Sequence, residues 1–334
     1  MCFKESLCFS SVKLPEKVVI GECWARDGLQ NEQKIVSTED KVRMINKFQE
    51  LGIKKIEVTS FAHPKYLPQF ADAEEVLQKV ERKPGVEFRG VVTTRRGMER
   101  AIAAKEAGYG VHEVAMVISA SEAHNLANVK MTHKENMALL EQLAQMARDS
   151  GHVLLGWVLT SFGCPLTGDV PAEKVAALGN WWKELGARYI GLGDTTGMGN
   201  PRQAFYFYEY LKDRGFTPEE IIVHFHDTRG AGIANSLAAL MGGMIYFDSS
   251  MGAIGGQPAT GAELYHLGYA GNTCTEDLVC IFEEMGVDTE IDMEGLCELG
   301  FEAEKILGRQ LRSNVIRCGP VVRKRNNGCL NSSP

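Results

Sequence analysis

The chain has 334 residues, a formal net charge of −7, and a composition in which 44% of the residues are hydrophobic. This length and hydrophobic fraction suit one large globular domain or two ordinary ones, and they exclude a disordered or fibrous chain. Because proteins that bind nucleic acids or anionic membranes non-specifically need a basic face, the acidic balance argues against both partners and favours small-molecule chemistry.

Nine cysteines are scattered along the chain without a Cys-x-x-Cys pair. An odd, dispersed set predicts neither a disulfide framework nor a zinc ribbon, and it favours a reducing, cytoplasmic location. Charges interrupt the N-terminal stretch MCFKESLCFSSVKLPEKVV, so no signal peptide is predicted. No segment approaches the roughly 20 apolar residues of a membrane helix.

Eight strand-like runs alternate with longer segments of helical periodicity. In chain order the runs cover 18–25, 53–60, 88–94, 112–119, 154–162, 188–195, 221–227 and 244–256. Repeated strand–helix units imply parallel strands, and eight of them predict an α/β fold of the (β/α)₈ TIM-barrel type. An open doubly wound sheet is the alternative, but its Gly-x-Gly-x-x-Gly turn is missing, since the first run leads into ARDGLQNE.

The predicted barrel occupies 18–290 and follows an N-terminal extension, 1–17. Residues 291–320 include the helix-like stretch MEGLCELGFEAEKILGRQL, which predicts C-terminal helices packed on the barrel. The polar residues 321–334 are predicted to form a loose tail.

Polar residues recur where the predicted strands end. They are Arg26 and Asp27 after the first strand, Glu57 in the second, Asp194 after the sixth, and His224 and His226 in the seventh. In a TIM barrel the loops at the C-terminal ends of the strands build the active site, so these side chains are predicted to share one site.

His224 and His226 occupy alternate positions of one apolar run. Alternate residues of a strand point to the same face, so both imidazoles should face one point. Together with a carboxylate they would form a mixed nitrogen and oxygen site suited to Mg²⁺, Mn²⁺ or Zn²⁺. The absence of a neighbouring cysteine argues against a structural zinc site.

Each polar residue also has a structural alternative when it is considered alone. Asp27 or Asp194 could cap a helix, Glu57 could pair with a lysine, and a buried histidine could be a satisfied core residue. Helix caps have no reason to fall repeatedly at one end of one barrel, so the combination favours a metal site with a position open for substrate.

With these residues in view, six ordered motifs carry a family resemblance. They are RDGLQNE (26–32), IEVTSF (56–61), LGDTTGMGNP (192–201), VHFHDTRGAGIAN (223–235), IGGQP (254–258) and GNTCTEDL (271–278). The chain resembles the 3-hydroxy-3-methylglutaryl-CoA lyase family and, more broadly, the DRE-TIM metallolyases, over about residues 18 to 320.

The resemblance implies a divalent-metal-dependent lyase that cleaves a 3-hydroxyacyl-CoA by a retro-Claisen step. It implies that the metal ligands are Asp27, His224, His226 and Asn272. It further implies that Arg26 polarises the thioester carbonyl, that Glu57 orients Arg26, and that Asp194 acts near the substrate hydroxyl. Asp27 and His224 are both candidates for the base. The family also suggests a homodimer.

One motif departs from the family pattern. Where the lyases carry a catalytic cysteine after Gly-Gly, this chain has Gln257, and the following loop, 257–270, is longer. An amide can bind substrate but cannot exchange a proton at useful cost. Either His266 in this loop replaces the thiol, as its near-neutral pKa would allow, or it is an exposed loop histidine without a role.

Two further residues are candidate substrate contacts. Arg95 follows the third strand and could bind a substrate carboxylate or a CoA phosphate, or it could be a solvated residue at a helix start. His124 follows the fourth strand and could touch CoA or the acyl group, or it could lie in a loop without a role.

Two other functions compete with the lyase. The first is a Claisen-type synthase related to isopropylmalate synthase, but the LQNE that follows Gly28 resembles the lyases, whereas those synthases usually have Glu-Gln there. The second is a non-catalytic barrel that binds metal or CoA. The complete set of polar strand-end residues argues against it, because binding alone would not require them all.

Overall fold

The computed structural model describes residues 13–256 and 271–321. Eight parallel strands close into a barrel in which each strand pairs with the next and the last pairs with the first. The strands are β1 Val19–Glu22, β2 Lys55–Ser60, β3 Glu87–Val91, β4 Glu113–Ser119, β5 Val153–Leu159, β6 Tyr189–Asp194, β7 Ile221–Phe225 and β8 Tyr246–Ser249. The TIM-barrel prediction is confirmed, and the doubly wound alternative is wrong.

Helices surround the barrel and extend it at the C-terminus. They are α1 Thr38–Glu50, α2 Ala73–Lys79, α3 Arg95–Glu106, α4 Glu122–Val129, α5 His133–Asp149, α6 Ala172–Glu184, α7 Pro201–Lys212, α8 Gly232–Met241, α9 Thr275–Glu284, α10 Met293–Leu307 and α11 Val315–Cys318. Helices α10 and α11 confirm the predicted C-terminal helices. Most of the N-terminal extension and of the tail lies outside the described residues, so the division into four segments stays a prediction.

Side-chain caps fix several of the loops that lead into helices. Ser37, Thr94 and Ser121 accept hydrogen bonds from backbone N–H groups in the first turns of α1, α3 and α4. Thr132 and Asn200 form reciprocal capping boxes at the starts of α5 and α7. Capping satisfies helix N–H groups that have no partner within the helix, and it sets where each loop ends.

Two strands, β1 and β8, are half as long as their hydrophobic runs predict or shorter. The run 18–25 contains only β1, because its last residues enter a turn in which Trp24 is fully buried and packs edge-on against Phe48, with ring centroids 6.3 Å apart. The run 244–256 contains β8 and a short 3₁₀ turn, Met251–Ala253. A buried turn is as apolar as a buried strand, so hydrophobicity alone does not separate them.

The barrel has two apolar regions. One large core fills the layer between the strands and the helices. A smaller cluster inside the barrel includes Leu155, Trp157, Tyr189 and Ile222 of β5, β6 and β7. Buried charged side chains share the described interior, among them Arg89 of β3 and Asp248 of β8, which form an ion pair. None of the helices in 13–256 and 271–321 has the length and apolar composition needed to cross a membrane.

Candidate metal and catalytic site

The turn after β1 carries two adjacent site residues. Trp24–Gly28 forms a single π-helical turn, a feature often found at functional sites. Arg26 forms an ion pair through Nε with Oε1 of Glu57, and its Nη1 donates to Asp27 Oδ1 at 2.8 Å. Two carboxylates therefore fix the guanidinium at the C-terminal end of the barrel.

Glu57 lies at the edge of an irregular strand pairing. The register between β2 and β3 shifts just after Glu57, which is the signature of a β-bulge. The Glu57 side chain is fully buried, with Oε1 on Arg26 and Oε2 at 3.6 Å from Nη1 of Arg89. Glu57 thus lies between two guanidinium groups, which fits its predicted role of orienting Arg26.

The two histidines of the seventh strand run converge as predicted. His224 lies in β7, whereas His226 lies just beyond it and forms an isolated bridge with Asn272. Their Nε2 atoms are 3.0 Å apart. Two ligands of one ion at right angles, each about 2.1 Å from it, lie about 3 Å apart, so this spacing suits a shared cation.

Asp27 and Asn272 complete the group. Asp27 Oδ2 lies 3.9 Å from Nε2 of His224 and 3.7 Å from Nε2 of His226. Asn272 Nδ2 donates to Asp27 Oδ2 at 2.8 Å and to the carbonyl of Ile254 at 2.9 Å. The structure therefore brings together the four residues that the resemblance implied as metal ligands.

The residues fit a divalent cation on three counts. Asp27, His224 and His226 each offer one ligand atom, and these atoms lie within 4.8 Å of one another. Among the described residues, the buried Oδ1 of Asn272 has no hydrogen-bond partner, and a cation would satisfy it. The mixture of two imidazoles with oxygen ligands suits Mn²⁺, Mg²⁺ or Zn²⁺.

The electrostatic environment keeps Asp27 ionised. Burial alone would raise the pKa of Asp27, but the Arg26 guanidinium and the two histidines together hold that pKa well below its usual range. The anionic form is the one that binds a metal, so the local charges prepare the carboxylate for this role.

Asp194 ends β6 and lies close enough to His226 and His224 for their charges to act on it. Its Oδ1 accepts hydrogen bonds from the backbone N–H groups of Met198 at 2.8 Å and Gly199 at 3.0 Å. Its buried Oδ2 has no hydrogen-bond partner among the described residues. Burial raises the pKa of Asp194, although these backbone donors and the histidines oppose the rise. A carboxyl group that is fixed through one oxygen and has no partner at the other fits the predicted position near a substrate hydroxyl.

Two of the predicted substrate contacts, Arg95 and His124, differ in their exposure to solvent. Arg95 starts α3, is exposed, and pairs with Glu99 at 3.2 Å. His124 is buried on α4, where Nδ1 lies 2.8 Å from the hydroxyl of Ser119 and burial lowers its pKa to about 4. Neither placement tests a substrate contact, so both stay predictions. Gln257 and His266 lie outside the described residues.

Sequence reasoning missed two charged residues beneath the site, Arg89 of β3 and Asp248 of β8. Nη1 of Arg89 donates to Oδ2 of Asp248 at 2.6 Å, and the same oxygen lies 3.8 Å from Nδ1 of His224. The signal was present, since strands buried on both faces are normally continuous apolar runs and a charge within one is unusual.

Comparisons with known proteins agree with this geometry. The model of the HMGL-like family matches residues 17–301. A hydroxymethylglutaryl-CoA lyase of Bacillus subtilis is 38% identical over 299 residues, which covers 90% of this chain and 96% of that protein. The human mitochondrial hydroxymethylglutaryl-CoA lyase is 35% identical over 308 residues, covering 90% and 89% of the two chains.

Solved structures give the same result. An HMG-CoA lyase from Acinetobacter baumannii, in complex with coenzyme A and 3-methylmalate, superposes with a TM-score of 0.84 at 34% identity, covering 96% of this chain and 98% of that one. The carboxyl transferase domain of Rhizobium etli pyruvate carboxylase, at 16% identity and a TM-score of 0.67, shares the fold alone. The chain belongs to the HMGL-like family, the family of the hydroxymethylglutaryl-CoA lyases.

Proposed function

We propose that this protein is a carbon–carbon lyase that cleaves a 3-hydroxyacyl-CoA thioester with the help of a divalent cation. The observation that carries the proposal is the convergence at one end of the barrel of a paired guanidinium, two facing imidazoles and three polar side chains. They are Arg26, His224, His226, Asp27, Asp194 and Asn272. A cation bound by Asp27, His224, His226 and Asn272 supplies Lewis acidity to the oxygens of the substrate.

The chain's own groups match the demands of a retro-Claisen cleavage. A base removes the proton of the 3-hydroxyl, the bond between C2 and C3 breaks, and its electron pair moves into the thioester as an enolate. The new carbonyl leaves as a keto product, and protonation at C2 gives acetyl-CoA or a homologue. Arg26, fixed by Glu57 and Asp27, presents a positive charge to the enolate oxygen.

The base is one of two groups. Asp27 is anionic and adjoins both Arg26 and the histidines, while His224 faces Asp248 through its other ring nitrogen. Asp194 is held through Oδ1, its Oδ2 has no partner among the described residues, and it is proposed to accept a hydrogen bond from the substrate hydroxyl. A positioned base contributes about 10²- to 10⁴-fold to such a step.

The family relatives favour cleavage over synthesis and indicate the substrate. The curated relatives of 34–38% identity are hydroxymethylglutaryl-CoA lyases, and one solved relative holds coenzyme A. We propose 3-hydroxy-3-methylglutaryl-CoA or a related thioester for this chain. Gln257 and the longer loop, 257–270, are the reason for including related thioesters, because this loop ends two residues before the proposed metal ligand Asn272.

Three finer features are also part of the proposal. Mg²⁺ or Mn²⁺ is the expected metal, because hard oxygen ligands accompany the imidazoles. The family resemblance supports a homodimer. The described cysteines are free, which fits a reducing compartment such as the cytoplasm.

The test is cleavage of 3-hydroxy-3-methylglutaryl-CoA and a panel of other 3-hydroxyacyl-CoA thioesters, with release of the shorter CoA ester followed by mass spectrometry. The proposal predicts cleavage with Mg²⁺ or Mn²⁺ that a chelator abolishes. Condensation of acetyl-CoA with a keto acid would instead support the synthase. If a broad panel gave no cleavage while metal and CoA still bound, the protein would be a non-catalytic binding barrel.

A further inference from the structure

An ion-pair network of alternating charges crosses the barrel interior beneath the site. It begins near the N-terminal ends of the strands, where Nζ of Lys55 pairs with Glu113 and, at 2.5 Å, with Glu87. Nε of Arg89 pairs with Glu113 at 3.2 Å, and Nη1 of Arg89 pairs with Asp248 at 2.6 Å. The ion-pair network thus reaches from the base of the barrel to the residues that face the metal site.

Strand register places Arg89 at the centre of this ion-pair network. Arg89 in β3 is the register partner of Glu57 in β2 and of Glu113 in β4. Only 2% of Arg89 is exposed, and removal of one partner from such a buried pair leaves an uncompensated charge. Arg89 is therefore held from both sides by carboxylates of neighbouring strands.

Arg89 touches the two residues that stand directly behind the site. Through Nη1 it binds Oδ2 of Asp248, and that oxygen lies 3.8 Å from Nδ1 of His224, the ring nitrogen opposite the one that faces His226. The same Nη1 lies 3.6 Å from Oε2 of Glu57, whose other oxygen holds Arg26. The guanidinium of Arg89 thus adjoins both Asp248, which faces His224, and Glu57, which pairs with Arg26.

The position of Asp248 is also set sterically. Its β1 neighbour is Gly21, and a Cβ there would lie 2.4 Å from Oδ1 of Asp248, so only glycine leaves room for the carboxylate. The ring of Trp157 also packs edge-on against His224, with centroids 5.5 Å apart. His224 is therefore confined by an aromatic wall and a fixed carboxylate.

Histidines that bind metals are usually oriented by a carboxylate or carbonyl at the second ring nitrogen. We propose that Arg89 is a positioning residue that acts through Asp248 on His224 and through Glu57 on Arg26. The inference rests on the proposed metal-dependent function, and it adds residues of β3 and β8 that touch neither substrate nor metal. A purely structural alternative is that Arg89 only neutralises buried carboxylates.

The experiment compares Asp248→Asn, Arg89→Met and Arg89→Lys with the wild-type protein. The affinity for Mn²⁺ is measured by calorimetry on the metal-free protein without substrate, alongside kcat, KM and the midpoint of thermal unfolding. Lys55→Met is the matched control, because Lys55 is a buried cation of the same ion-pair network. Its own ion pairs are with Glu87 and Glu113.

We expect Asp248→Asn and Arg89→Met to raise the Kd for Mn²⁺ by about 10- to 100-fold. Arg89→Met should also lower kcat more than it raises KM, because Arg26 loses part of its support. Arg89→Lys should give an intermediate Kd, since an ammonium group restores the charge but not the two-sided geometry. Lys55→Met should lower the unfolding temperature and leave the Kd for Mn²⁺ unchanged.

An unchanged Kd in folded Asp248→Asn and Arg89→Lys would overturn the inference and leave Arg89 a structural role only. An equal rise in Lys55→Met would overturn it as well, because the effect would then be general loosening of the interior. If Arg89→Met did not fold, the two milder variants would decide. Failure of the wild-type protein to bind Mn²⁺ would overturn the proposed function itself, which separates the two failures.

Discussion

Two carboxylates hold the guanidinium of Arg26, the group proposed to polarise the thioester carbonyl. Its Nε and Nη1 are both engaged by carboxylates, Glu57 and Asp27, so the planar group has little freedom to rotate. Charge alone would not reproduce this, since the ammonium group of a lysine cannot span two carboxylates with a rigid fork. The fork geometry is therefore expected to matter as well as the charge.

Arg26→Lys should lower kcat by about 10²- to 10³-fold, the scale of losing one oriented donor to a developing oxyanion. KM and the affinity for Mn²⁺ should change much less, because the positive charge beside Asp27 remains. Steady-state kinetics and Mn²⁺ calorimetry would check this. Arg43→Lys on the surface of α1 is the control, and an unchanged kcat in Arg26→Lys would contradict the assignment of Arg26.

A catalytic role for His266 is a prediction that comes from the sequence alone. The resemblance places Gln257 where the family has its cysteine, and because an amide cannot supply the proton, we expect another group to protonate the enolate. If His266 does so, His266→Asn should lower kcat by about 10²- to 10⁴-fold while Mn²⁺ binding is retained, and Glu263→Gln in the same loop should have a small effect. Normal turnover by His266→Asn would show that His266 is a loop histidine without a catalytic role.

At the scale of elements, the turn that follows β8 is held by two buried carboxyl groups. Glu22 of β1 accepts hydrogen bonds from the backbone N–H of Met251 at 3.0 Å and from Oγ1 of Thr275 at 2.7 Å. Glu276 of α9 accepts from the N–H of Gly252, at 2.9 Å to the nearer oxygen. Gly252 has a φ of 67°, a conformation that disfavours other residues. These contacts fix the start of the segment that leads to Gln257.

Burial raises the pKa of Glu276 to about 7, above its ordinary value of 4.5. A group whose pKa is raised in the folded state binds more protons there than in the unfolded chain. Its contribution to stability is therefore fully present below pH 4.5 and is lost as pH rises through about 7. Glu22, with a pKa raised by burial to about 8, acts in the same direction.

Glu276→Gln should remove the part of this pH dependence that belongs to Glu276. Relative to the variant, the wild-type protein should lose about 3 kcal/mol of unfolding free energy between pH 4.5 and pH 8. Urea unfolding at several pH values would measure the difference, with exposed Glu294→Gln as the control. Parallel stability curves for wild type and Glu276→Gln would show that Glu276 does not titrate in this range.

At the scale of the whole molecule, alternation of strands and helices was sufficient to predict the barrel. Eight apolar runs correspond to eight strands because each must be buried on both faces in a parallel barrel. The ends of β1 and β8 could not be predicted in the same way. The first residues of the buried turn Trp24–Gly28 are as apolar as a strand, and what separates them from a strand is tertiary packing.

The candidate site was predictable where barrel geometry brings strand ends together. Alternation placed His224 and His226 on one face, and closure of the barrel brought them to Asp27. Arg89 and Asp248 could not be paired from the sequence, because their contact joins β3 and β8 across the interior. Such a contact depends on the curvature and register of the closed sheet rather than on spacing along the chain.

One divalent cation, bound by Asp27, His224, His226 and Asn272, is proposed to enable the cleavage. The most direct test is to titrate the metal-free protein with Mn²⁺ and measure, at each addition, both the bound metal and the rate of release of the shorter CoA ester from the preferred thioester. We predict about one ion per chain, a rate that rises in proportion to occupancy, and loss of both in His226→Ala. Equal turnover by metal-free protein, or full activity of His226→Ala without bound Mn²⁺, would contradict the account.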